Sequence, residues 1–285
     1  MERNENATIS SNTQGNPYHK PAGAPNKEGG QFTSADGQAG GGNSDMYVTK
    51  QIVNPYYREY EGEFWLIDQL LRRGKISEQE FLRRFDKLQD KYYEAAIPIV
   101  MKQTGMRESE CYEFIFALKD YCGTEYEFLD RADQIRTRDT IKYGLSRMPK
   151  FKGEIYRGMS FDLGDKEEIA KGKQFIERMI NNLNSKGAVL LNKKQKLSSF
   201  SSDYDVAAGK FAQVNNDGFM SVVLRVKSNH SGTAIAHISP FDGTEDEVLV
   251  PDEVLYNVVN VRSAKKGKNS LYYYIDLEEI EEWNH

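Results

Sequence analysis

The sequence predicts an α+β protein in which helices come first and mostly antiparallel strands follow. Before Pro149, apolar residues recur at helical spacing; after it they fall into short β-like runs. Those runs follow one another with few helices between them, joined by turns such as Asp242-Gly243. That succession suggests an antiparallel arrangement rather than a doubly wound sheet, and there is no G-x-G-x-x-G stretch and no phosphate-loop lysine motif. Three regions are expected. Residues 1–45 form a Gly/Pro-rich tail. Residues 46–150 form a helical region, either a lobe or a separate domain. Residues 151–285 form a third, strand-rich domain. The chain of 285 residues is long enough for this.

Composition narrows the partners. The net charge is −5, so a basic face for phosphate backbones is not expected, and nucleic acid is set aside as a partner. No apolar run approaches the roughly 18 residues that span a bilayer, so a membrane is set aside too. Met1 to Ser10 is polar, and no secretory signal is expected. Cys111 and Cys122 lie on one predicted helix, about 16 Å apart along its axis, too far for a bridge. His19, His230, His237 and His285 are scattered without ligand spacing, so no metal is expected.

The elements follow in order. Residues 1–45 hold eight of the 23 glycines and three of the eight prolines, and their one branched aliphatic is Ile9. Such a stretch buries too little to offset its ordering entropy, so a flexible tail is expected. Tyr60, Phe64, Ile67 and Leu71 share one helical face, and Gly74 ends it. Ser77 and Glu80 make a capping box, with Ile76 and Phe81 as its staple. Phe81, Phe85, Leu88 and Tyr92 continue the face until Pro98, where an interruption is expected. A helix over Glu108 to Cys122 stops at Gly123, and Thr124 with Glu127 opens another toward Ser146. The aromatic stripes here read as core and carry no obvious chemistry. Then come a strand over 154–160 and a helix capped by Asp165 running to about Leu183. Further strands are expected at 219–226, 233–238, 247–250, 254–261 and 271–277.

Three pieces of the second half carry polar groups in places that suit chemistry. In Tyr156-Arg157-Gly158, alternation puts Arg157 on one face with Ile155 and Met159. A guanidinium there suits a phosphate, although a strand salt bridge is the commoner use. Gly158 permits close approach to the backbone. In Ser198-Ser199-Phe200-Ser201-Ser202, four hydroxyls sit at a strand end, with Asp203 placed to cap a short helix holding Ala207 and Phe211. A serine-rich turn would look the same. There is no nucleophile elbow. In Glu245-Asp246-Glu247, two glutamates share one strand face, their Cα atoms expected about 6.6 Å apart. They repel unless a cation or substrate uses them. A solvated acidic strand end is the plain alternative. Phe241 precedes them in a Pro/Asp-Gly turn.

In this order, Tyr156-Arg157-Gly158, Ser199-Phe200-Ser201 with Phe211 downstream, and Glu245-Asp246-Glu247 resemble the R-S-E class of mono-ADP-ribosyltransferases. The resemblance covers roughly residues 153–278. Phe200 stands where that family usually has threonine, and Ser198 and Ser202 are alternative registers for the serine motif. The resemblance implies a core of two facing, mostly antiparallel sheets around a cleft for NAD, used as co-substrate with no metal. It implies that Glu247 is the catalytic carboxylate and that Glu245 orients and helps deprotonate an acceptor arginine. Arg157 and Gly158 would contact NAD. Ser199 would support both NAD and Glu247, and Phe211 would stack on nicotinamide. Phe241 would help recognise the target protein.

The segment from Asn16 to Ser34 resembles a short motif in tails of phage head-associated proteins, and reads equally as a plain linker. The implied settings are a bacterial host cytoplasm or a virion, the latter with head components as partners. Two other functions stay open. One is a head-associated structural protein with a degenerate domain of this kind; the other is an NAD glycohydrolase with water as acceptor.

Overall fold

A computed structural model describes residues 47–122, 135–191, 197–239, 245–265 and 270–280. The tail 1–45, the Thr124/Glu127 cap, the Asp242-Gly243 turn and Phe241 lie outside them.

Local caps set the helices. α1 (Tyr57–Arg72) buries Tyr60 and Ile67, and Gly74 follows with φ 63°. α2 (Glu78–Thr104) begins where Ser77 Oγ accepts from Glu80 N at 3.2 Å. Glu80 turns away from the expected reciprocal bond and pairs instead with Arg83 and Arg84. α2 does not break at Pro98. That residue is solvent-exposed, while Ala96, Ile97 and Val100 on the opposite side are buried. Packing of that buried side holds the helix through the proline. α3 (Glu108–Cys122) buries Phe114, Ile115, Leu118 and Tyr121. α4 (Ile135–Arg147) packs on it through Gly144, where a Cβ would lie 2.1 Å from the Phe114 ring.

The second half is one mixed sheet. A two-residue pair, β1 (Tyr47–Val48) with β2 (Lys150–Phe151), stands apart. The main strands are β3 (Ile155–Asp162), β4 (Ala188–Leu190), β5 (Ser198–Ser201), β6 (Phe219–Val226), β7 (Thr233–Ala234), β8 (Glu247–Val250), β9 (Leu255–Lys265) and β10 (Leu271–Glu279). Their order is β4-β9-β10-β6-β3-β5-β8-β7. Among the described residues, only β10 with β6 is parallel within it. The strand expected at 233–238 stops at Ala234, because residues 236–238 turn.

The pairing links all eight strands into one order. The strands make one run, joined at its centre by a single register pair, Tyr156↔Ser201. Beyond that pair β3 and β5 part, so the sheet is continuous yet split on one side.

One face of the sheet is the main core. Ile155, Val222, Leu224, Val248, Val250 and Ile275 are at most 1% exposed, and Ile176 and Met179 of α5 (Lys166–Ser185) cover them. Each such side chain contributes about 1.5–3 kcal/mol by leaving water. On the other face the π-helical turn Val206–Phe211 packs Ala208, with Ala212 just beyond it, onto Val223. Asn54 ties the helices to the strands: its Nδ2 donates to the Tyr92 carbonyl at 2.9 Å and the His237 carbonyl at 3.1 Å. Tyr92 donates to the Ala236 carbonyl at 3.1 Å.

Candidate active site

The split between β3 and β5 is where the three sequence pieces meet the end of α3. β5 alternates strictly. Phe200 faces the core with Val248, while Ser199 and Ser201 face the other way. Ser201 organises the acidic turn: its hydroxyl donates to the Glu245 carbonyl at 2.6 Å and accepts from Asp203 N at 3.0 Å. Ser199 is exposed and lies 3.3 Å from the Tyr121 hydroxyl. Ser202 lies 3.1 Å from Gln51 Nε2, which donates to it. The three serines are thus distinguished by what they touch.

Glu247 begins β8 and is 7% exposed. Burial, then the nearby charge of Glu245, pushes its carboxyl up to about 7. Ser199, Ser239 and Cys122 oppose the rise by hydrogen-bonding the carboxylate, and Cys122 Sγ lies 3.9 Å from its Oε2. Asp246 between the glutamates has φ 44°, in the left-handed region that Asp tolerates better than most residues. Its carbonyl accepts from Gln51 Nε2 and from Ser202 N, both at 2.9 Å. The two glutamates therefore do not sit as alternate residues of a regular strand; a pinned turn sets their directions. Glu245 pairs with Lys210 Nζ at 2.6 Å.

Arg157 lies between Ile155 and Met159 on β3. Its Nη1 is buried with no hydrogen-bond partner, and burial lowers the guanidinium's pKa. The Tyr121 phenol is near enough to feel both the Glu247 carboxylate and the Arg157 cation. Burial pushes that phenol up. Tyr256, whose buried hydroxyl also lacks a partner, borders Arg157 from β9.

The side of Gly158 where a side chain would stand is filled by the π-helical turn. A Cβ there would meet the Ala207 carbonyl at 1.9 Å and Ala212 N at 2.6 Å. Its small size thus serves close packing, and the same packing brings Phe211 beside β3, where the residue is 39% exposed. Arg157, Ser199, Glu245, Glu247 and Phe211 all border the split. Tyr121, Cys122, Ser239, Gln51 and Lys210 join them, and sequence reasoning did not single these out. Tyr121 falls on the buried stripe of α3 and looks like ordinary core from the sequence. Lys210 had only its place beside Phe211 to mark it. Among the described residues no three His, Cys, Asp or Glu side chains form a group able to hold a metal, and no helix is long and apolar enough to cross a membrane.

No protein-family model matches the chain, and no curated protein matches it. Solved structures do. The Vis toxin of Vibrio splendidus, an ADP-ribosyltransferase also solved with agmatine, is 19% identical over 72% of this chain and 87% of its own, with a TM-score of 0.40. Plx2a, an ADP-ribosyltransferase toxin of Paenibacillus larvae, is 13% identical over 68% and 96%, with a TM-score of 0.41. The type III effector XopAI of Xanthomonas axonopodis pv. citri is 10% identical over 82% and 96%, with a TM-score of 0.44. At these identities and scores, no residue's role is carried over from them.

Proposed function

We propose that the chain transfers ADP-ribose from NAD to an arginine side chain of a protein, releasing nicotinamide. The observation that supports this best is the pair Glu245 and Glu247, one bound to a cation and one buried among hydroxyls, at a cleft that also holds Arg157. The residues fit NAD as a substrate. Arg157 Nη1 is a buried donor without an acceptor, which a phosphate oxygen would supply. The exposed ring of Phe211 offers nicotinamide a face to stack on. Gly158 would contact the nicotinamide end through its backbone.

The reaction breaks the bond between ribose C1′ and the nicotinamide nitrogen. Nicotinamide leaves with that electron pair as a neutral molecule, and an oxocarbenium-like ribose remains. Glu247, as carboxylate, accepts a hydrogen bond from the ribose 2′-hydroxyl and stabilises the positive charge. Ser199, Ser239 and Cys122 hold the carboxylate in place. The acceptor guanidinium docks on Glu245, its nitrogen attacks C1′, and the proton it gives up passes to the Glu245 carboxylate. The segment holding Phe241 would meet the target protein.

The test is incubation of the purified chain with labelled NAD and a bacterial lysate. Wild type labels discrete protein bands and releases nicotinamide. Glu247→Ala does neither, at a loss of about 10³-fold or more. Glu245→Ala loses protein labelling but retains nicotinamide release. Full labelling by Glu247→Ala would overturn the assignment. Nicotinamide release without any label by wild type would leave water as the acceptor, and copurification with phage heads without NAD binding would indicate a structural role.

A further inference from the structure

Lys210 belongs to none of the sequence motifs, yet it occupies the carboxylate on which the acceptor would dock. Its Nζ lies 2.6 Å from Glu245 Oε1, and the two side chains are 24% and 16% exposed. The pair is therefore partly shielded, where a charge-assisted hydrogen bond counts for more than at an open surface. The same Nζ lies 5.5 Å from the centre of the Phe211 ring. The position is not accidental to a floppy side chain. Lys210 rides on the π-helical turn, which is seated on β3 where Gly158 leaves room for the Ala207 carbonyl. Glu245 is fixed from the other side by the bond from Ser201 to its carbonyl. Both ends of the ion pair are thus anchored to neighbouring strands across the split.

The chemistry of the two cations differs. An ammonium donates to Glu245 as a point charge, here to one oxygen. A guanidinium presents a planar fork that can engage both oxygens at once. Resting on the reading of Glu245 given above, we propose that Lys210 is a specificity-determining residue, an internal cation that holds the acceptor carboxylate until a guanidinium displaces it. An amine, hydroxyl or water acceptor gains nothing bidentate over Lys210 and is disfavoured. Lys210 also bridges the two subsites, because the turn that carries it carries Phe211.

The experiment measures KM for the small guanidine agmatine, with labelled NAD saturating, in wild type, Lys210→Met and Lys210→Arg. Methionine keeps an aliphatic stem without the charge; arginine keeps the charge. The KM of K210M for agmatine falls about tenfold, the scale of removing one partly shielded competing pair. K210R does not fall and binds agmatine no better than wild type. An unchanged or raised KM in K210M, or an equal fall in K210R, overturns the proposal, since loss of packing alone would not follow charge. Formation of labelled ADP-ribosyl-agmatine by wild type reports the underlying reading separately. If wild type forms none, that reading fails and the role of Lys210 with it. Product formation with an unchanged agmatine KM in K210M removes the role of Lys210 alone.

Discussion

Glu247 carries a cost that its neighbours only partly offset. Its carboxyl is raised to about 7 from the ordinary 4.5 because burial disfavours the charge and Glu245 lies near. The sign of the linkage follows. The folded state keeps a proton that the unfolded chain releases, so this residue's contribution to stability is fully present below about pH 4.5. It is lost as the pH rises through about 7. Glu247→Gln removes that loss. The variant is therefore expected to gain on the order of 3 kcal/mol relative to wild type between pH 4.5 and 8, while transfer disappears. Urea unfolding at the two pH values measures it, and a difference that does not change with pH would contradict the burial of the carboxylate. On the proposed function, Glu247 is a group retained against stability. The residue types of the site were legible in the sequence, as Arg157, Ser199, Glu245 and Glu247. Tyr121 and Cys122 were not, because a polar atom at the end of an apolar helical stripe gives no sign of which way its neighbours will lie.

At the scale of elements, the π-helical turn Val206–Phe211 is the piece whose placement decides the most. It is too short to be stable alone. It stays where it is because Ala208 and Ala212 pack on Val223 and because β3 has no side chain at Gly158. Gly158→Ala would push a methyl into the backbone of the turn, which cannot swing aside as a side chain could. We expect a loss of about 1–3 kcal/mol and a displaced Phe211, read as a lower urea midpoint and a raised KM for NAD. An alanine variant with wild-type stability and NAD affinity would show that the turn is held by something else. Sequence reading found a glycine there and attributed it to ligand approach. The packing partner lies some fifty residues further on, out of reach of any local pattern. Helices were more legible. Ser77 and Asp165 mark their caps with bonds of 3.2 Å and 2.7 Å. Pro98 misled because local propensity was outweighed by the buried side of α2.

At the scale of the whole molecule, buried polar contacts tie the helices to the strand-rich half. Asn54 is 1% exposed and satisfies one carbonyl from α2 and one from the segment after β7. Asn54→Ala leaves both without that donor, and about 2–4 kcal/mol of stability is expected to go. Because Gln51, three residues earlier, holds the Asp246 carbonyl, the same variant is expected to slow transfer several-fold more than its stability loss explains. Thermal melting beside a transfer assay separates the two, and a change under about 0.5 kcal/mol would mean the lobes do not depend on this bond. By itself the sequence determined the class of the fold, most helix and strand positions, and the ordered Arg, Ser and Glu set, because periodicity, caps and short motifs are local properties of the chain. Only the tertiary structure decided that the strands form one split sheet, that α3 lends Tyr121 and Cys122 to the cleft, and that Lys210 meets Glu245. Those depend on contacts between residues far apart in sequence, which burial and close packing select and no local pattern records.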